Sequence, residues 1–248
     1  MRLIDPARPA LSRFNGFGLR LEWVELFLSR PSDWGSTGRL GPKQVDAFRK
    51  WLRVSWLVDH QGIETPLAHD LRTRGIRDLA TWQLIWVSIA YRFTTANWYC
   101  QLAGTNHSTS ELKDMLQTAY PLSAPRTVSN GIYELASTLE RTPIGDELGQ
   151  GHVCSGTPRI IVRSPTEEPC PLAIWCAFAL LLCDSGSCVS LVEDLCWPWM
   201  VFGCDPESVL MTVRLHGEDK LVEDDGVLHL VRPTREWNEW CVIATTYR

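Results

Sequence analysis

The stretch that decides the fold is DLATWQLIWVSIAY, at residues 78–91, which is the most apolar helix predicted from this 248-residue chain. Its apolar residues recur every three or four positions, as on one face of an α-helix: Leu79, Trp82, Ile85, Trp86 and Ile89. Tryptophans on such a face are typical of a protein core. We therefore expect this helix to lie at the centre of a mainly α-helical protein.

The same periodicity predicts further helices on both sides of this stretch. They span residues 19–28, 42–57, 66–74, 110–119, 127–140, 171–183, 189–195 and 206–215. We expect Thr65 and Thr127 to cap two of them, because a threonine hydroxyl can accept a hydrogen bond from the first turn. A short strand is predicted at 159–163. This order indicates tandem helical and helix-turn-helix modules with few short strands.

The sequence KLVEDDGVLHLV at residues 220–231 predicts a β-hairpin. Asp-Gly between two alternating apolar runs is the strongest short hairpin signal in a sequence. Three predicted helices come before it. Helices in that number followed by a hairpin are typical of a winged-helix domain, and the acidic run at 223–225 would form the exposed tip of its wing.

Glycine, proline, serine and threonine are frequent throughout residues 145–169, which predicts a linker. We therefore predict a helical, mildly basic N-terminal domain at 1–144 with a helix-turn-helix-like element. An acidic, winged-helix-like C-terminal domain would follow at 170–248. Residues 1–124 carry 15 basic and 11 acidic side chains, whereas residues 125–248 carry 9 and 18. A polyanion would bind to the first half; the alternative is two ordinary solvated faces.

The polar face of the helix predicted at 42–57 is a candidate DNA-binding surface. It carries four cations, and Gln44 near its start is placed to reach a base edge. Three arginines farther along the chain would extend this surface. The candidate DNA-binding residues are Lys43, Gln44, Arg49, Lys50, Arg53, Arg72, Arg74 and Arg77. The alternative, a solvated amphipathic helix, is equally open. The acidic C-terminal domain fits protein contact or a homodimer better than DNA.

Four carboxylates are weak candidates for catalysis. Phosphodiester cleavage with Mg²⁺ or Mn²⁺ needs two or three carboxylates that converge on one point. The candidates are Glu22, Glu25, Asp46 and Asp59. Glu22 and Glu25 lie three residues apart on one helix, which is also the spacing of a solvated face. Mg²⁺ or Mn²⁺ is expected as a cofactor only if the protein nicks DNA, and no metal ligands are assigned.

Other motifs favour structural roles. The nine cysteines contain no CxxC pair, so we predict mostly buried thiols in a reducing compartment. The start of the chain lacks the apolar region of a signal peptide, and we expect a cytoplasmic protein. The loop at residues 15–18 lacks the ending of a P-loop, and we expect a tight turn that packs Phe17 against Trp23. The tryptophans left as candidates for base stacking are Trp34, Trp197 and Trp199.

Several short motifs together resemble one family. They are FNGFG at 14–18, LGPKQV at 40–45, RKWLR at 49–53, WQLIWV at 82–87, PIG at 143–145, LGQG at 148–151 and PLAI at 171–174. The chain is similar, from about residue 13 to 243, to the family of unknown function numbered 4007. It is also similar to the C-terminal region of large proteins with a phosphoadenosine-phosphosulfate-reductase-like domain.

The resemblance implies a component of a bacterial DNA phosphorothioation and phage-defence system. A stand-alone member of the family is described as the component that nicks DNA beside a cysteine desulfurase and an ATP-pyrophosphatase. The first hypothesis is therefore a DNA-binding component, with metal-dependent nicking as an extension. The second is a non-catalytic adaptor that docks the pyrophosphatase-like sulfur-transfer enzyme through the acidic half. A winged-helix transcriptional regulator is a third.

Overall fold

The structure is a computed structural model. It describes residues 10–185, 188–190, 195–216, 221–224 and 227–230. The described part is mainly α-helical, as predicted. Its helices are α1 (Leu21–Ser29), α2 (Pro42–Val54), α3 (Pro66–Arg74), α4 (Leu79–Arg92), α5 (Thr94–Cys100), α6 (Thr109–Ala119), α7 (Pro125–Arg141), α8 (Pro171–Ser185), α9 (Pro198–Phe202) and α10 (Pro206–His216). Its strands are β1 (Asn106–Ser108), β2 (His152–Cys154), β3 (Ile160–Val162), β4 (Cys188–Ser190), β5 (Leu221–Asp224) and β6 (Val227–Leu230). None of the described helices has the length and apolarity needed to span a bilayer.

Helix α4 lies at the centre of the core, as the sequence predicts. Every residue in the range 81–91 is buried, so this part of the helix has no solvent-facing side. It packs against α5 and α8. Both buried indole N–H groups are hydrogen-bonded. That of Trp82 donates to the carbonyl oxygen of Ile76 at 2.6 Å, and that of Trp86 donates to the carbonyl oxygen of Val201 at 2.8 Å.

Helix α2 begins at Pro42, as predicted, but it ends at Val54, three residues before the predicted end. Trp56 has a φ of +63°, in the left-handed region, and this conformation cannot continue a right-handed helix. The chain turns there, and Leu57 is fully buried beyond the helix end. The predicted helix was too long because Leu57 continues the apolar periodicity of α2, although it is buried in the core from outside that helix.

Thr65 occupies the N-cap position of α3, as predicted, but its side chain makes no capping bond. The hydroxyl of Thr65 donates to the carbonyl oxygen of Trp56 at 2.5 Å, so it bonds to the chain before α3 and not to the first turn of that helix. Helix α7 begins at Pro125, two residues before Thr127. Proline is favoured at the first helical position because it has no N–H to leave unpaired there. Thr65 is therefore confirmed as the N-cap residue of α3, whereas the cap predicted at Thr127 is wrong.

The segment 145–169, predicted as a linker, contains two strands and several buried side chains. Strand β3 pairs with β1 and β2 in an antiparallel sheet of order β1-β3-β2, which confirms the strand predicted there. The guanidinium of buried Arg163 donates to the carbonyl oxygens of Cys100 and Val201, each at 3.0 Å. It also donates to the side-chain oxygen of fully buried Gln150 at 2.9 Å. The segment is thus packed against residues from both sides of it.

The C-terminal elements follow the order α8, β4, α9, α10, β5 and β6. Strand β4 follows α8, and α9 and α10 precede the antiparallel hairpin of β5 and β6, in a sheet of order β4-β6-β5. The predicted hairpin is confirmed. The helix predicted at 189–195 is wrong at its start, because Val189 and Ser190 belong to β4 and pair with β6. A β-branched valine favours such a strand. Residues 191–194 of that prediction lie outside the described residues.

The apolar core is continuous across the described residues, from Leu11 to Val213. It contains buried side chains from both predicted domains. The division at residues 145–169 remains a prediction about independent folding units. Limited proteolysis within that segment, followed by a test of whether the two parts separate, would examine it.

Candidate nucleic-acid interface

Helix α2 has one buried side and one basic side. Phe48 and Trp51 on the apolar side are fully buried. Lys43, Arg49 and Arg53 are exposed. None of these three cations forms an ion pair with another residue that the structure describes. We call Lys43, Arg49 and Arg53 the α2 basic face; its charges are available to a solvent-borne polyanion.

Asp46 forms a small polar cluster on the same helix. Lys50 Nζ lies 2.7 Å from Asp46 Oδ2, and Asn15 Nδ2 donates to the same oxygen at 2.9 Å. The hydrogen bond from Lys50, followed by that from Asn15, holds the pKa of Asp46 below its usual value. Lys50, a predicted DNA contact, is therefore partly neutralised. Asp46, a predicted catalytic candidate, connects the glycine-rich loop to α2.

Two of the three arginines that would extend the basic surface are paired with carboxylates. Arg77 Nη1 lies 3.1 Å from Glu147 Oε1. Arg72 contacts the carboxylate of Glu64. Arg74 is exposed and has no ion pair within the described residues. The structure thus leaves Arg74 as the arginine of this group whose charge is uncompensated.

Gln44 stabilises the beginning of α2. Its side-chain oxygen accepts a hydrogen bond from the N–H of Gly41 at 2.9 Å. This is the reciprocal half of a capping box, which pairs an N–H left without a partner at the helix start. The predicted contact between Gln44 and a base edge stays a prediction. Such a contact would have to use the amide NH₂ group or replace the capping bond.

Glu22 and Glu25 lie on α1 and face solvent. Glu22 Oε1 is 3.8 Å from Arg20 and 3.9 Å from Arg141, which are weak, exposed ion pairs. Glu25 has no described ion pair. Their arrangement is that of a solvated helix face near a cation on α7.

Asp59 is buried and holds a turn. Its Oδ1 accepts hydrogen bonds from the N–H groups of Gln61 and Ile63, both at 2.8 Å. Within the described ranges, no group of three His, Cys, Asp or Glu side chains is arranged to hold a metal ion. Mg²⁺ and Mn²⁺ require several converging oxygen ligands. The described carboxylates therefore do not form a cluster of three metal ligands on their own.

A buried carboxylate is surrounded by residues 12–16, at the glycine-rich loop of residues 15–18. Glu134 on α7 is fully buried, and its Oε1 accepts hydrogen bonds from Ser12 Oγ at 2.8 Å, Phe14 N at 3.0 Å and Gly16 N at 2.9 Å. Its Oε2 accepts from Arg13 N at 3.2 Å. Backbone N–H groups arranged in this way form an anion-binding concavity. The chain's own carboxylate occupies that concavity, so the loop has a structural role here.

The loop also makes the predicted aromatic contact, with the ring centroids of Phe17 and Trp23 6.1 Å apart. Glu134 was not among the residues predicted from the sequence. One signal was available, because Glu134 falls between Ile132 and Leu135 on the apolar side of a predicted helix. A carboxylate on such a face needs buried hydrogen-bond donors.

The cysteines and the stacking candidates lie in or near the core. The cysteines with described side chains are free thiols, of which Cys100, Cys176 and Cys196 are buried. The rings of Trp197 and Trp199 stack on each other at 4.9 Å. Trp34 packs edge-on against Phe48 at 4.8 Å. These three tryptophans therefore contact other aromatic rings of the protein itself.

Helix α10 has a different surface from α2. Met211 is 48% exposed and Leu215 is 71% exposed, and they lie four positions apart on one face. Glu207 in the first turn is also exposed. A face of this kind suits contact with protein better than contact with phosphate groups.

Comparison with known proteins gives this arrangement a structural context. No protein-family model matches the chain, and no curated protein matches it. Among solved structures, the chain is similar to the crystal structure of magnesium ion-bound SspB, with a TM-score of 0.66 and 15% sequence identity. The similarity covers 95% of this chain and 87% of that chain. The two proteins therefore share a fold.

Proposed function

We propose that this protein is the DNA-binding component of a bacterial DNA phosphorothioation and phage-defence system. The α2 basic face carries the proposal, because its three exposed cations have no carboxylate partner within the described residues. The motifs that resemble the family numbered 4007 support the biological setting. The fold shared with SspB supports it as well.

Binding through the α2 basic face would be largely independent of DNA sequence. Lysine and arginine contacts to phosphate position a protein on the duplex but carry no sequence information. Gln44, the candidate for a base contact, already caps its own helix. We therefore expect an affinity that falls steeply with salt, because neutralised phosphates release their counterions.

The test is fluorescence anisotropy of a labelled duplex over a series of salt concentrations. Replacement of Lys43, Arg49 and Arg53 by glutamate should weaken binding at least about 100-fold at low salt and reduce the slope of log affinity against log salt by about 3. Arg49→Glu and Arg126→Glu form a matched pair, since both arginines are exposed and lack a described ion pair. Arg49→Glu should weaken binding and Arg126→Glu should not. Equal effects of the pair would remove the α2 basic face from the proposal.

DNA nicking is an extension of the proposal. The test is to incubate the purified protein with supercoiled plasmid and Mg²⁺ or Mn²⁺, with an EDTA control, and to separate the products on a gel. The products distinguish a nickase from a protein that only binds DNA. Metal-dependent open circles would support a nickase, and alanine variants of Glu22, Glu25, Asp46 and Asp59 would then test the four candidates. A retarded, unbroken plasmid would support a DNA-binding accessory protein.

Helix α10 favours a second candidate function, that of an adaptor for the pyrophosphatase-like sulfur-transfer enzyme. Met211 and Leu215 present apolar surface beside Glu207, and this surface suits a protein partner. Met211→Ser with Leu215→Ser should reduce co-purification with that enzyme and leave duplex affinity unchanged. Cysteine desulfurase, the other expected partner, serves as the comparison. Unchanged co-purification would count against the adaptor.

A further inference from the structure

A cleft of about 530 Å³ lies between the start of α6, the middle of α7 and the turn at residues 156–159. This volume is within the range of small-molecule sites in proteins. Its floor contains Ile132 and Ala136, which are almost completely buried. Polar side chains surround that apolar floor. An apolar base with a polar rim is the usual composition of a ligand site.

Although Arg159 is paired with Glu140, six of the polar side chains that line the cleft have no partner within the described part of the protein. They are Ser110, Lys113, Ser129, Asn130, Tyr133 and Thr157. Polar side chains at the other end of the same helical hairpin behave differently. Thr118 donates to the carbonyl oxygen of Asp114 at 2.9 Å, and Gln117 donates to that of Ser123 at 3.0 Å. These six side chains are therefore free to hydrogen-bond a ligand in the cleft.

The charge of the cleft favours an anion. Lys113 has no ion pair with a described residue, and Arg159 Nη1 lies 3.2 Å from Glu140 Oε2. Two cations and one carboxylate leave a net positive charge. The N–H of Thr109 donates to the carbonyl oxygen of Arg159 at 2.8 Å and fixes the turn against α6.

Tyr133 supplies an exposed aromatic surface at the same place, with 53% of its area accessible. The other large aromatic side chains that the structure describes are buried or partly buried, so the exposure of Tyr133 is unusual. Aromatic side chains beside cations are the combination that nucleotide-binding proteins use, with the base on the ring and the phosphate on the cation. The hydroxyl and amide groups of the rim can hydrogen-bond the sugar and the base edge.

We propose that this α6–α7 cleft binds a nucleotide, with its phosphate at Lys113 and Arg159 and its base against Tyr133. The inference goes beyond duplex binding by the α2 basic face and does not depend on it. The nucleotide has two possible sources, a free mononucleotide or a nucleotide of single-stranded DNA. Both offer the same phosphate and base, and the experiment separates them.

Isothermal titration calorimetry of the full chain, with adenosine monophosphate, an oligothymidylate and inorganic phosphate as probes, tests the inference. Lys113→Ala and Tyr133→Ala should each weaken binding about tenfold. Tyr133→Phe should keep most of the affinity because the ring remains. Arg126→Ala, an exposed cation of α7 outside the cleft, is the matched control and should have no effect.

Each result decides a part of the inference. Binding of the mononucleotide identifies a free ligand, and binding of the oligonucleotide alone identifies single-stranded DNA. Binding of phosphate with the same affinity as the nucleotides, unaffected by Tyr133→Ala, would overturn the role of the base. Lack of heat with all three probes would overturn the site. Duplex affinity of Lys113→Ala, measured in parallel, shows whether the α2 basic face still functions.

Discussion

Two neighbouring residues of α7 show how differently the chain treats its polar groups. Glu134 is fully buried and accepts four hydrogen bonds from residues 12–16, whereas Tyr133 is half exposed and has no described partner. The first belongs to a cluster that the fold satisfies internally. The second belongs to a cleft whose polar groups are left free. The comparison teaches that internal hydrogen bonding, more than residue type, separates structural polar groups from candidate binding groups.

The same distinction applies to α2. Lys50 and Arg49 are adjacent cations, but Lys50 is paired with Asp46 at 2.7 Å and Arg49 has no described ion pair. A paired cation has less charge to offer a phosphate group. The predicted basic surface is therefore reduced to the residues whose charges remain uncompensated.

Removal of the buried carboxylate should have the largest effect on stability. Glu134→Ala leaves three backbone N–H groups and a hydroxyl without their acceptor. We expect the free energy of unfolding to fall by about 3 kcal/mol, because unpaired buried donors keep their desolvation penalty. Urea unfolding followed by tryptophan fluorescence measures the change. Glu25→Ala, at an exposed position of α1, should leave stability unchanged, and equal losses would contradict the assigned role of Glu134.

Gly131, on the same helix, should be the next most sensitive position. A Cβ atom there would lie 2.3 Å from the carbonyl oxygen of Leu11 and 2.8 Å from Thr95 Oγ1. Alanine gains about 1 kcal/mol of helix propensity over glycine. The overlap with backbone costs more, and we expect a net loss of about 2 kcal/mol for Gly131→Ala. Ser129→Ala, two residues earlier, is the control in the same urea experiment, and a stabilising Gly131→Ala would refute the close packing.

A smaller effect should appear in the pH dependence. Burial is the largest cause that raises the pKa of Glu134 above 4.5, and the N–H and hydroxyl donors oppose it. Between 4.5 and the raised pKa the folded protein binds more protons than the unfolded chain. The stabilising contribution is thus complete below about pH 4.5 and decreases as pH rises through the folded pKa.

Glu134→Gln removes this titration. We therefore expect the melting temperature of the wild type, relative to the Glu134→Gln variant, to decrease as pH increases above 4.5. Differential scanning calorimetry at several pH values measures both proteins. An increasing difference would mean that the four hydrogen bonds outweigh burial and lower the pKa.

The smallest effect on stability should come from the α6–α7 cleft. Lys113→Ala and Tyr133→Ala remove groups without described hydrogen bonds, so each should change the free energy of unfolding by less than about 0.5 kcal/mol. The same urea experiment measures them beside Glu134→Ala. A large loss of unfolding free energy in either variant would mean that the cleft residues stabilise the fold, as Glu134 does. The contrast between Tyr133 and Glu134 would then be wrong.

The sequence alone determined most of the helices, the C-terminal hairpin and the centre of the core, but it did not predict α5, β1 or β2. The apolar periodicity of α4, the amphipathic pattern of α2 and the Asp-Gly hairpin are local signals, since they depend on residues two to four positions apart. The structure confirms these elements. The errors are the end of α2, which lies at Val54, and the region of β4, where a helix was predicted. The basic side of α2 was predicted for the same reason, because its charges follow the helical repeat.

Tertiary structure decided which polar groups are free. The partners of Glu134 lie between 118 and 122 residues before it in the chain, and Asn15 reaches Asp46 across 31 residues. The α6–α7 cleft joins two helices to a turn at 156–159 that composition assigned to a linker. Pairing at such distances depends on how the helices pack, and no local repeat encodes it. The sequence therefore determined where charge and apolar surface lie, whereas the fold determined which charges were already neutralised.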